Sequence, residues 1–198
     1  MKQINCIVVG DGAAGKTCLL MTNYNNSFPE DYNPHVFDDH SVKINVEGHS
    51  IDLSIIDTQE YDRFLRYFSY PKVDVVIICF SLVYKYTFEK VHSFWFDELR
   101  KYCPNTPVLL VGTKSDLRDD FKTNEDRYKS LGMKPISRAE GEEMKTRIRA
   151  SKYIECSSKK QINVKEVFYE AAKIGLHHKN ITERSYERTE ENSCCILC

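Results

Sequence analysis

Eight residues near the start of the chain have the types and spacing of a phosphate-binding loop. The pattern GxxxxGK(S/T) is matched by Gly10-Asp11-Gly12-Ala13-Ala14-Gly15-Lys16-Thr17. Glycines let successive backbone N–H groups turn toward phosphate oxygens, and the start of a helix adds a positive dipole. In such a loop Lys16 reaches the β- and γ-phosphates and the Thr17 hydroxyl binds Mg²⁺. The residues predicted to hold phosphates are Gly12, Ala13, Ala14, Gly15, Lys16, Thr17 and Cys18.

The sequence on both sides of this loop supports the same interpretation. Residues 4–9 form an apolar run typical of a buried strand, and a helix is predicted to begin at Cys18. A glycine-rich turn that matches by chance is the alternative. The order strand, glycine loop, helix favours a nucleotide site.

A second and a third segment have the residue types needed to bind a purine base. Thr113-Lys114-Ser115-Asp116 follows a predicted strand, and Ser157-Ser158-Lys159 follows the last one. A carboxylate at Asp116 can accept hydrogen bonds from the ring N–H and the exocyclic amine of guanine, a donor pair that adenine lacks. The predicted base-binding residues are Phe28, Thr113, Lys114, Asp116, Leu117, Ser157, Ser158 and Lys159. Asp57, at a strand end, is predicted to hold Mg²⁺ through water, together with Thr17.

Alternating strand and helix patterns predict the elements that position these residues. Strands are expected at residues 4–9, 41–46, 50–56, 73–80, 107–111 and 152–155, with a tight turn at Glu47-Gly48-His49. The fold class is therefore α/β: a mostly parallel six-stranded sheet with one antiparallel edge hairpin and helices on both faces. Helices are predicted at 87–101, with Trp95 as a core anchor, and at 164–178. A short helix is expected within 119–131, a capping box opens another at Ser137, and residues 57–71 are expected to be irregular.

The whole composition limits the function classes. A chain of 198 residues with a net charge of −1 predicts one domain and no attraction to nucleic acid. No secretory signal is expected, so the eight cysteines are predicted to be reduced, with Cys6, Cys18 and Cys79 buried, and the location cytoplasmic. Residues 1–178 are predicted to form the domain and 179–198 a disordered tail.

Taken together, these motifs resemble those of Ras-superfamily small GTPases, and within them the Rho/Rac family, over residues 3–178. The likeness extends beyond the phosphate loop to Phe28-Pro29-Glu30, Tyr61-Asp62-Arg63, Ser69-Tyr70-Pro71, Cys79-Phe80-Ser81, Cys103-Pro104-Asn105 and Leu117-Arg118-Asp119-Asp120. The insertion at 119–131 lies where Rho proteins carry an extra helix. The resemblance implies a P-loop NTPase fold, GTP/GDP and Mg²⁺ as cofactors, and a signalling switch acting on the actin cytoskeleton. It also implies exchange factors, GTPase activators and effectors as partners, with Gln59 and Lys16 as catalytic residues.

Two loops depart from the family pattern. The threonine that completes the Mg²⁺ shell is replaced by His35, whose imidazole suits a hard cation poorly. After Asp57 the family's Ala-Gly pair and one acid are missing, so Glu60 occupies the place of the glycine that donates to the γ-phosphate, and Gln59 lies closer to Asp57 than usual. We therefore expect impaired GTP hydrolysis. A non-hydrolysing binding module is the alternative, and an ATP-dependent P-loop kinase is disfavoured by Asp116.

The last four residues, Cys195-Ile196-Leu197-Cys198, match a C-a-a-X prenylation pattern. One lipid gives only marginal membrane binding, and the upstream segment is not polybasic. Cys194 is therefore the predicted second lipidation site, by palmitoylation. The expected location is the cytoplasmic face of the plasma membrane or endomembranes, and whether Cys195 carries farnesyl or geranylgeranyl stays open.

Overall fold

The computed structural model describes residues 1–30, 40–58, 63–121 and 123–194, and its centre is a six-stranded sheet. The strand order is β2-β3-β1-β4-β5-β6. The strands are β1 (Lys2–Val9), β2 (His40–Val46), β3 (His49–Asp57), β4 (Val75–Ser81), β5 (Val108–Thr113) and β6 (Lys152–Glu155). β2 pairs with β3 antiparallel and the other pairs are parallel. The predicted α/β class, with one antiparallel edge hairpin, is confirmed.

Eight α-helical segments surround the sheet in the described residues. They are α1 (Lys16–Asn25), α2 (Arg63–Ser69), α3 (Lys85–Lys90), α4 (Asp97–Tyr102), α5 (Ser115–Asp120), α6 (Glu125–Ser130), α7 (Arg138–Arg147) and α8 (Val164–Cys194). A π-helical segment, Val91–Phe96, joins α3 to α4 into one continuous helix, and a 3₁₀ turn, Tyr70–Lys72, follows α2. The predicted capping box at Ser137 and the short helix within 119–131 are both present.

Alternation along β1 sends side chains into a core on each face of the sheet. Ile4, Cys6 and Val8 belong to the core under α1 and α8, whereas Ile7 and Val9 belong to the core under the helix that carries Trp95. This period-two pattern is what a strand buried on both faces requires. Trp95 is fully buried, as predicted.

Three sequence predictions about local structure were wrong. The hairpin turn has two residues, Glu47 and Gly48, both with positive φ (51° and 81°), and His49 already pairs with Val46. Residues 63–71 belong to the stretch expected to be irregular but are helical, because Arg66 and Tyr70 supply a buried face. Helix α1 begins at Lys16 rather than at Cys18.

A fourth difference from the sequence predictions concerns residues 179–194, which were expected to be disordered. Helix α8 does not end near residue 178 but continues to Cys194. Its extension contacts the start of β1: Lys2 Nζ donates to Asn180 Oδ1 at 2.6 Å, and Lys179 Nζ donates to the Gln3 carbonyl at 2.9 Å. These contacts give the helix partners beyond the domain boundary that composition alone indicated.

Within the described part of the chain, no helix is both long enough and apolar enough to span a membrane.

Candidate nucleotide-binding site

The phosphate loop runs from the carboxyl end of β1 to the first residue of α1. Its backbone needs glycine at two points. Gly10 has φ 144°, and a Cβ there would collide with the carbonyl oxygen of Cys79. Gly15 has φ 87° and lies against the Thr113 side chain, where a Cβ would be 3.1 Å from Oγ1. The loop therefore packs against the ends of β4 and β5, and its path is set by close backbone approach.

A buried ammonium group and a hydroxyl group donate hydrogen bonds to backbone carbonyls of the loop. Lys16 is 8 % exposed, and its Nζ donates to the carbonyls of Gly10 (2.6 Å) and Asp11 (3.0 Å). Thr113 Oγ1 donates to the Ala14 carbonyl at 2.6 Å. The ammonium group is thus held inside the loop, where a bound phosphate would meet it.

Thr17 and Asp57 meet at the edge of this loop, although they lie 40 residues apart. Thr17 Oγ1 donates to Asp57 Oδ2 at 2.9 Å. Burial raises the pKa of Asp57, and its other oxygen, Oδ1, is buried with no hydrogen-bond partner among the described residues. A hydroxyl and a carboxylate with an unused oxygen are the hard donors that Mg²⁺ prefers, so these two residues fit the predicted metal site.

A cavity of about 290 Å³ opens beside the phosphate loop. All of its lining residues belong to the predicted set: Gly15, Cys18, Phe28, Thr113, Lys114, Asp116, Leu117, Ser158 and Lys159. Cys18, predicted to be buried, is partly exposed because it faces this cavity. The structure therefore brings the start of α1, the residues after β5 and the loop after β6 to one site, as expected for the carboxyl edge of a parallel sheet.

Asp116 is oriented by a hydrogen bond within the protein. It is 7 % exposed, and Ser157 Oγ donates to its Oδ1 at 2.6 Å. Ser157 is fully buried and acts through Asp116 rather than by lining the cavity. One carboxylate oxygen is thereby fixed, which leaves the group able to accept hydrogen bonds from a base.

Lys114 links the base cavity to the phosphate loop. It has φ 61°, and its Nζ donates to the Ala13 carbonyl at 2.7 Å. Burial lowers the pKa of Lys114. Its alkyl chain therefore lies across the cavity, in the place where the sequence predicted a platform for the base.

Sequence reasoning missed the contacts that hold the two base loops together. Arg118 donates to both oxygens of Glu155, at 2.7 and 2.6 Å, and Tyr153 Oη donates to Glu155 Oε1 at 2.9 Å. Burial opposes ionisation of Glu155, but the hydrogen bonds from Arg118 and Tyr153 outweigh it and lower the pKa of that carboxyl. The Ser115 N–H also donates to the Cys156 carbonyl at 3.1 Å. One sequence feature could have indicated that Glu155 has a charged partner, since this carboxylate ends a strand in which the two residues before it are apolar.

Several predicted residues lie outside the described part of the chain. These are His35, Gln59, Glu60 and Cys195, so their proposed roles rest on sequence. Cys194 is the last residue of α8.

The fold and the site together define a P-loop nucleotide-binding protein. Residues 5–176 match the model of a protein family described as the Ras family. The chain belongs to the Ras family and is a small GTPase. Proteins of this family bind GTP and GDP with Mg²⁺, hydrolyse GTP, and act through regulators and effectors.

Proposed function

We propose that this small GTPase is a Rho-type, guanine-nucleotide-dependent signalling switch with slowed intrinsic GTP hydrolysis. One observation carries the nucleotide assignment: a buried, pre-oriented Asp116 in a cavity that opens onto a glycine loop holding Lys16. The carboxylate selects guanine, because adenine would leave it without matching donors. Lys16 and the loop N–H groups neutralise phosphate charge.

The remaining site residues take supporting roles in this proposal. Phe28 contacts the edge of the base and Lys114 supports its face, while Ser158 and Lys159 close the cavity. Thr17 and Asp57 are the residues that would hold Mg²⁺, which supplies charge neutralisation at the β- and γ-phosphates when bound. Gln59 corresponds to the residue that orients the attacking water in the family, and we propose that its place only two residues after Asp57 prevents it from filling that role.

The Rho-type assignment rests on the sequence motifs and on the insertion. In the structure Phe121 and Tyr128 of the insertion belong to a small buried cluster together with Val83 and Met133. A role in actin regulation follows from the resemblance alone. It is tested by staining filamentous actin in cells that express the wild type or Lys16→Ala; an identical actin pattern in both would oppose it.

Slowed hydrolysis is proposed from the residues after Asp57. Because the Ala-Gly pair is absent, Gln59 lies two residues after Asp57, the last residue of β3, whereas the family pattern places its glutamine four residues after that aspartate. A displacement of about 1 Å costs on the order of a hundredfold in rate. Glu60 would also bring a carboxylate close to the γ-phosphate, a repulsion of about 1 kcal/mol in water and more in a dry site.

Single-turnover hydrolysis of GTP by Mg²⁺-loaded protein tests this part of the proposal. We expect bound GTP to persist for many hours, with a rate unaffected by Gln59→Ala. A rate typical of small GTPases that is lost in Gln59→Ala would contradict slowed hydrolysis. Lys16→Ala serves as the control for nucleotide loading, since it removes the cation of the phosphate loop.

The same sequence features favour a second candidate function, a binding module that holds nucleotide without switching. In that case the affinity for a partner is the same with GDP and with a non-hydrolysable GTP analogue. A difference of tenfold or more between the two nucleotides would support the switch. Competition of bound GDP by ATP would instead indicate the ATP-dependent kinase function.

We also propose attachment to the cytoplasmic face of membranes through prenylation of Cys195 and palmitoylation of Cys194. The measurement is membrane fractionation of cells expressing Cys194→Ser. We expect this variant to move to the soluble fraction; an unchanged distribution would oppose the role of Cys194.

A further inference from the structure

A continuous set of buried side chains connects the phosphate loop with helix α2, and Trp95 lies at its centre. The indole Nε1 donates to Asp11 Oδ1 at 2.6 Å. Both residues are buried, Trp95 at 0 % and Asp11 at 3 % exposure. Over the face of the ring, the guanidinium carbon of Arg66 lies 5.0 Å from the indole centroid. One side chain thus contacts the nucleotide loop and α2 at the same time.

Arg66 is fixed to this position by a second set of contacts. Its Nε and Nη2 donate to the two oxygens of Glu98, at 2.9 and 3.2 Å, and Tyr70 Oη donates to Glu98 Oε1 at 2.6 Å. Arg66 is fully buried. A buried guanidinium is retained only where its partners compensate for lost hydration, so α2 is held by Glu98 and by the face of Trp95.

Trp95 lies in the π-helical segment Val91–Phe96. Such local widenings of a helix occur often at functional positions. The nucleotide cavity does not include Trp95, and core packing alone would not require its single N–H donor to meet a carboxylate of the phosphate loop.

We propose that Trp95 is a positioning residue that holds the phosphate loop through Asp11 and links the loop energetically to helix α2. This inference rests on the proposed binding of guanine nucleotide. Nucleotide that orders the loop around Asp11 then also orders α2, because both are held against the same indole. Loss of the indole N–H removes this hydrogen bond from the buried Asp11 carboxylate. It therefore weakens both the hold on the phosphate loop and the coupling of the loop to α2.

A double-mutant cycle on nucleotide dissociation tests the link to the loop. The dissociation rate of methylanthraniloyl-GDP is measured with Mg²⁺ for the full chain as wild type, Trp95→Phe, Asp11→Ala and the double variant. We expect each single variant to release the probe about tenfold faster, and the double variant to release it no faster than either single one. A dissociation rate of the double variant that is raised by the product of the two single-variant factors would overturn the proposal.

A core variant separates positioning from general loss of stability. Leu176→Ala removes a buried side chain from the opposite face of the sheet. It is expected to lower the melting temperature at least as much as Trp95→Phe while leaving the dissociation rate within twofold. A dissociation rate that follows melting temperature across all variants would show a merely structural role and overturn the proposal.

Hydrogen exchange of the amides in residues 63–69 tests the link to α2. Binding of GDP and Mg²⁺ is expected to slow exchange of these amides in the wild type and not in Trp95→Phe. Equal slowing in both would overturn the coupling. If the wild type does not bind the probe, the proposed function fails; if it binds and Trp95→Phe behaves identically, only this inference fails.

Discussion

Ser157 Oγ donates a hydrogen bond of 2.6 Å to Asp116 Oδ1, although the two residues lie 41 positions apart. Each lies a few residues after the end of a different parallel strand, so the bond forms only when β5 and β6 are adjacent. It fixes the carboxylate that the sequence predicts as the guanine-recognising group. The specificity of the site is thus part of the folded sheet edge rather than of one motif.

Replacement of this carboxylate is expected to change base selectivity. In Asp116→Asn the amide NH₂ faces a base that offers donors, so we expect GDP affinity to fall by about a hundredfold or more, with a relative gain for xanthine nucleotides. The measurement is displacement of a fluorescent nucleotide by GDP and XDP. Asp119→Asn, an exposed change on the same helix, is the control. Equal GDP affinity in Asp116→Asn and Asp119→Asn would contradict the role of Asp116.

Removal of the Asp57 charge is expected to raise the stability of the protein while abolishing its binding of Mg²⁺. Oδ1 of the ionised group is buried with no hydrogen-bond partner among the described residues. The neutral amide of Asp57→Asn reduces the cost of this burial while its oxygen still accepts from Thr17. The melting temperature of nucleotide-free protein should rise by about 2 to 4 °C. In wild type, Mg²⁺ is expected to raise the melting temperature of the GDP-bound protein further, and Asp57→Asn should lose this second increase. A lower melting temperature without nucleotide, or an intact Mg²⁺ effect, would contradict this.

The Arg118–Glu155 pair is expected to give a pH-dependent contribution to stability. Because the pKa of Glu155 is lowered from its ordinary 4.5, the folded carboxyl stays ionised where the unfolded one has become protonated. Its stabilisation is complete well above pH 4.5 and declines as pH falls below that value. Glu155→Gln should therefore lower the free energy of unfolding by about 2 kcal/mol at pH 7 and by less at pH 4.

Urea denaturation at several pH values measures this difference. Glu166→Gln is the matched control, because Glu166 pairs with Lys152 at 3.3 Å but is half exposed. Exposed pairs contribute about 0 to 1 kcal/mol. An effect of Glu155→Gln that is the same at pH 4 and pH 7 would argue against the pair.

Two glycines with positive φ are expected to differ sharply in tolerance. Gly10 and Gly48 have φ 144° and 81°, but a Cβ on Gly10 would collide with Cys79, whereas a Cβ on Gly48 meets nothing within 4 Å. Gly48→Ala should cost about 1 kcal/mol of unfolding free energy from backbone strain alone. Gly10→Ala should cost about 3 kcal/mol or more and abolish nucleotide binding. Similar denaturation midpoints for the two variants would contradict the close approach at Gly10.

The sequence alone predicted the elements whose signal is local. Apolar runs and, in the hairpin, apolar–polar alternation located the six strands to within a few residues, and the glycine pattern located the phosphate loop. Backbone conformation and side-chain period are properties of neighbouring residues. The nine residues that line the cavity were all predicted, since the phosphate loop and the base-binding segments tie residue type to position in the sequence.

Only the tertiary structure decided which distant groups meet. The contacts of Glu155 with Arg118, and of Trp95 with Asp11 and Arg66, join residues from separate elements, and no local pattern specifies such pairs. The helical residues 63–72 and the first residues of the α8 extension, Lys179 and Asn180, depend likewise on partners elsewhere in the chain. A polar segment folds as a helix when a neighbour buries one of its faces, and that neighbour is known only once the sheet order is known.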